Sequence, residues 1–171
     1  MEVRPFDRID LAAVMPDLSD DQINRLRRAA ARIDQPQPPV GRSGWNWFPD
    51  KLDRDQDGHR WVLFGTTIVY DTPERDPVDF DLSVMREERP RVRVEVSIAV
   101  DCWCDHEHST HEIRAQSWLA GHAESFTETF ESAAEVLASW TSGRHTASVY
   151  RAAACLPPPP DRRHFSSHDR S

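Results

Sequence analysis

Residues 91–104 read RVRVEVSIAVDCWC. Val92, Val94, Val96, Ile98 and Val100 recur at every second position, with Arg93, Glu95, Ser97, Ala99 and Asp101 between them. Side chains alternate across a β-strand, so this stretch predicts one long strand with an unbroken apolar face and a polar one. Cys102 and Cys104 continue the apolar phase. Such a strand needs neighbours beside it and a covering layer over its apolar side.

The neighbours lie on both sides in sequence. WVLFGTTIVY at 61–70 is rich in β-branched and aromatic residues. In VDFDLSV at 78–84, Val78, Phe80, Leu82 and Val84 alternate with polar residues. HEIRAQSWLA at 111–120 alternates Ile113, Ala115, Ser117 and Leu119 against Glu112, Arg114, Gln116 and Trp118. Trp45, Trp47 and Phe48 suggest a first, irregular strand. Short connections between successive strands favour antiparallel meander pairing.

Two helices bracket these strands. Ser19 and Gln22 have capping-box spacing ahead of Ile23, Leu26, Ala30 and Ile33, which predicts a helix over about 20–34. Pro36, Pro38 and Pro39 stop it. A shorter helix is expected around Leu11–Met15. Ser125 and Glu128 have the same capping spacing, and Phe126, Phe130, Ala133, Leu137 and Trp140 share one helical face over 126–141. A last strand is expected around Ala147–Arg151. The expected fold is α+β: an antiparallel meander of about four to five strands, with an N-terminal helix and a C-terminal amphipathic helix packed on the sheet. Residues 1–18 read as a lead-in, 19–156 as a single domain, and 157–171 as a Pro-rich disordered tail.

The composition excludes more than it assigns. The net charge of −8 and the absence of a basic stripe argue against nucleic acid as a partner. The 20 arginines against one lysine, Lys51, reflect base composition more than function. No apolar run approaches a membrane span, and MEVRPFDRID lacks the apolar core of a signal peptide, so the expectation is cytoplasmic. The three cysteines, Cys102, Cys104 and Cys155, do not suggest a disulfide framework. Cys102 and Cys104 are also too close for an easy mutual bridge on an extended strand.

VDCWCDHEHSTHE at 100–112 is the densest cluster of metal-ligand chemistry. Thiolates and imidazoles suit tetrahedral Zn²⁺, and a hairpin turn could bring Cys104, His106, His108 and His111 together, with Cys102 one strand repeat further off. The spacing matches no standard zinc-finger pattern. The competing reading makes the cysteines small buried residues of the valine face and the histidines polar turn residues. No cofactor other than this candidate zinc is expected.

Three further motifs fall short. HEHSTH at 106–111 has one residue more than the zincin H-E-x-x-H. His122–Ala123–Glu124 matches the H-x-E of zinc deaminases, but the P-C-x-x-C half is missing. Asp53, Asp55, Asp57 and Gly58 begin a calcium loop whose twelfth position is Phe64 where a glutamate is required. No nucleophile elbow, phosphate loop or dinucleotide fingerprint occurs.

Residues 91–157 resemble small uncharacterised proteins of GC-rich actinobacteria. The likeness rests on VRVEVSIAVDCWCDHEHSTHEI followed by an amphipathic helix with a Trp near its end, and it implies no activity. The leading expectation is a non-catalytic intracellular accessory or protein-binding domain. Its candidate contact residues are Trp103, Trp118 and Arg114, read as standing on the sheet face opposite the valines. A zinc-binding protein at 102–111 is the first alternative. An immunity or antitoxin-like protein is the second, because an acidic surface suits a basic partner.

Overall fold

The computed structural model describes residues 3–34, 44–49, 60–70, 77–88, 90–102, 110–142 and 147–157. Among them, five strands form one antiparallel sheet in sequence order: β1 (Asn46–Pro49), β2 (Arg60–Tyr70), β3 (Pro77–Arg86), β4 (Val92–Asp101) and β5 (Thr110–Ala120). The helices are α1 (Leu11–Val14), α2 (Asp20–Ile33), α3 (Ala123–Ser142) and α4 (Ala147–Ala153). This is the α+β meander that the alternating runs predict.

β4 is the middle of the core. Its five apolar residues from Val92 to Val100 are all fully buried. The register stacks them beside Val78, Phe80, Leu82 and Val84 of β3 on the same face. Leu63, Gly65, Thr67 and Val69 of β2 continue that face toward β1. Gly65 is required there because Trp47 lies across the strand from it. A Cβ on Gly65 would sit inside the Trp47 ring, so the indole occupies the space a side chain would take.

Helices cover this face. α3 crosses β3, β4 and β5 and buries Phe126, Phe130, Ala133, Ala134 and Leu137. α2 lies beside α3 and buries Leu26, Ala29, Ala30 and Ile33. Each large apolar side chain removed from water in this way contributes roughly 1.5–3 kcal/mol. Arg25 fastens the two helices with bonds of 3.1 and 2.6 Å to Glu131 and one of 2.9 Å to Glu124, which also accepts from Gln22. For Glu131 the Arg25 bonds, and for Glu124 the Gln22 bond and then Arg25, hold the carboxyl below the ordinary glutamate value.

The helix ends follow local chemistry. Ser19 and Gln22 form the expected capping box. The second helix starts earlier than expected. Its capping residue is His122: Nδ1 accepts from the Ser125 N–H, and the Ser125 hydroxyl accepts from the His122 N–H. His122 and Glu124, the H-x-E pair, are thus used in a cap and an interhelix ion pair.

Two expectations need correction. The segment read as a lead-in belongs to the core: Phe6, Ile9, Leu11, Val14 and Met15 are buried. Phe6 meets Trp47 edge-on at 4.8 Å and Phe130 at 5.5 Å. Residues 147–151 form a helix, not a strand. Ala147, Tyr150 and Arg151 are its buried side, which is helical spacing. α4 ends in a Schellman turn, with Leu156 N–H bonded to Arg151 O and Cys155 N–H to Ala152 O. Cys155 has φ 57° at the position where glycine is usual. Among the described residues, no helix is long and apolar enough to cross a membrane.

Candidate functional site

Two features stand out from this frame, and both involve the β4–β5 hairpin. The first is where β4 ends. The strand stops at Asp101, three residues short of the sequence expectation. Arg151 of α4 is 2% exposed, and its guanidinium donates to the Asp101 backbone carbonyl. A buried guanidinium is stable only with such acceptors. Tyr150 lies beside it, and burial pushes its hydroxyl above the ordinary tyrosine value, partly offset by the charge of Arg114. Arg114 in turn sits 5.4 Å from the centre of the Trp140 ring, within cation–π range.

Cys102 is the next residue, buried at 6% exposure and disulfide-bonded. That corrects the expectation of no disulfide at Cys102. The thiol of Cys155 is free and exposed. Trp103, Cys104, His106 and His108 lie outside the described residues, as do Asp53, Asp55, Asp57 and Gly58. His111 stands opposite Val100. Among the described residues, no three His, Cys, Asp or Glu side chains group as a metal site.

The second feature is β5. Its phase is the reverse of the sequence reading. Ala120, Trp118, Gln116 and Arg114 pair with Val92, Val94, Val96 and Ile98, so they stand on the helix-covered face. Trp118 is half-buried against the core. Leu119, read as apolar-face, is 60% exposed. The register breaks between Ile98 and Ala99, where Ile113 is the extra residue of a bulge. The partner-binding reading of Trp118 and Arg114 had rested on an open-face position that neither occupies.

β5 is also the edge of the sheet, and its residues 114–117 are exposed on both faces. Large sheets blunt such edges with proline, lysine, bulges or charges. The first half of β5 has Glu112, the Ile113 bulge and Arg114. The second half, Ala115–Ala120, carries none of these devices. Sequence reasoning missed this edge, although the absence of Lys, Pro and charge over AQSWLA was readable.

Elsewhere, a cleft of about 340 Å³ is lined by Arg4, Asp10, Arg60 and Arg86. Arg60 and Arg86 are directly opposed across β2 and β3, and Arg86 donates to the Ala13 carbonyl of α1 at 3.1 Å. On the face away from the helices, burial and the Asp101 charge push Asp79 up to about 6.

No family model, curated protein or solved structure matches the chain.

Proposed function

We propose that the protein is a non-catalytic binding domain that takes an extended segment of a protein partner onto β5 by strand addition. The observation that carries this reading is the second half of β5. It is an edge that no described residue pairs, with no proline, charge or bulge from Ala115 to Ala120. Strand addition draws affinity from main-chain hydrogen bonds and specificity from alternate side chains. Here the alternate side chains on the helix side would meet Gln116 and Trp118, and those on the other side Ala115, Ser117 and Leu119.

The test is to guard the edge. Ser117 and Leu119 are exposed, so Ser117→Lys with Leu119→Lys should leave folding intact while discouraging a sixth strand. A partner captured by the native protein should be lost by the double variant. Hydrogen exchange in the complex should slow at Ala115–Leu119. Capture that survives the lysines, or protection confined to other strands, would sink the reading.

A further inference from the structure

Residues 114–120 of β5 run in unbroken register beside Ile98 to Val92 of β4, clear of the bulge at Ile113. Residues 114–117 and Leu119 are exposed, and Trp118 is half-buried. Arg114 is the only charged residue of this strip. We propose that the segment added to β5 is β5 of a second copy of this chain, paired antiparallel about a two-fold axis so that the two sheets become one. This rests on the reading of β5 as a docking edge and names its partner.

The strip itself fixes the register. Directly opposed residues of antiparallel strands stand on the same face, so a two-fold pairing must centre on a residue, not between two. Centred on Ala115 or Gln116, the pairing would run through the Ile113 bulge, where regular pairing is disrupted. Centred on Trp118, it would shorten to residues 116–120, because β5 ends at Ala120. Centred on Ser117, it spans the whole strip from 114 to 120 and leaves the bulge and Glu112 outside.

The side chains suit that register. On the face away from the helices, Ala115 meets the partner's Leu119, a methyl against a large side chain that is 60% exposed in the single chain. On the helix side, Gln116 meets the partner's Trp118. Each contact occurs twice, as a self-complementary interface requires. Ser117 meets the partner's Ser117 on the axis, where one hydroxyl donates and the other accepts. Arg114 meets the partner's Ala120, so no like charges are opposed. Any extended segment could use the main-chain groups of the edge. The small-against-large order, matched when the strip is read from its two ends, is what favours a second copy.

The test uses the full chain. Sedimentation equilibrium over about 10–200 µM should show a dimer, since so short a strip lies at the weak end of specific interfaces. Ser117→Lys with Leu119→Lys should be monomeric. The register is read by disulfide trapping in chains carrying Cys155→Gly, which removes the free exposed thiol at a left-handed position that suits glycine. Ser117→Cys should cross-link two copies, and mass spectrometry should join residue 117 to residue 117. Ala115→Cys alone should not, because its two thiols would stand ~13 Å apart along the strands. A mixture of Ala115→Cys and Leu119→Cys chains should join 115 to 119. A monomer throughout that range, a dimer that survives the lysines, or trapping at 115 with 115 in place of 117 with 117 would overturn the proposal. If the chain is monomeric, the edge reading is decided separately, by whether the native chain captures another partner that the lysine variant loses.

Discussion

At one edge of the sheet, β1 is four residues long and ends in Pro49, and the Arg4 N–H bonds its outer side through the Trp47 carbonyl at 2.9 Å. At the other edge, β5 runs for eleven residues and its second half has no such guard. β1 is held by its side chains, since Trp47 is 2% exposed and fills the space above Gly65. β5 is held by β4 and by α3 on one face, and its middle is exposed on both. Among the described residues, the same sheet thus closes one end and leaves the other open. Short length, proline and a bridging segment are ways of keeping other chains off an edge, and half of β5 lacks them among the described residues, which is the ground of the docking proposed above.

The comparison can be broken most severely at Gly65. Gly65→Ala should cost about 1–3 kcal/mol in urea unfolding, because the new methyl overlaps the Trp47 ring. Pairing it with Trp47→Phe should recover part of the loss, as expected of two groups competing for one space.

Between the edges, Asp79→Asn should stabilise by about 1–2 kcal/mol at pH 8 and hardly at all at pH 3.5. The sign follows from the raised folded-state value. Asp79 titrates at about 6 when folded, against an ordinary 3.8. Between those values the folded state binds more protons than the unfolded state, so stability falls as pH rises through that window. Unfolding curves of both proteins across that range decide it, and a difference independent of pH would refute the burial argument.

At the guarded edge, Arg4→Pro should cost about 0.5–1.5 kcal/mol more than Arg4→Ala, because only the proline also removes the main-chain N–H bonded to Trp47. At the open edge, Leu119→Lys should change stability by less than about 0.5 kcal/mol, since the residue is exposed. A larger loss at Leu119 than at Arg4, in the same urea assay, would reverse the assignment of guarded and open edges.

β3 and β4 were legible because one face of each is wholly apolar, which leaves a single phase for the alternation. β5 was not, because its two faces are nearly balanced. Ile113 and Leu119 fall in one phase and Trp118 in the other. The bulge at Ile113 then shifts the phase, and only pairing with β4 decides it. α4 was misread because Val149 and Tyr150 favour a strand locally, whereas burial of Arg151 against Asp101 favours a helix. In the H-x-E pair, His122 caps α3 and Glu124 pairs with Arg25. The disulfide at Cys102 runs against the expectation of no disulfide framework, which rested on an odd and sparse set of three cysteines.

The tryptophans at the guarded edge have an optical consequence. Trp45 and Trp47 lie 5.5 Å apart with their rings 23° from parallel, and Trp45 also donates to the Ile33 carbonyl at 2.8 Å. Two indoles at that separation couple their electronic transitions. The pair should therefore give a circular-dichroism signal of its own, present only while β1 is seated and α2 is in place. That signal would report the integrity of the closed edge without any label, while partners are titrated against the open one.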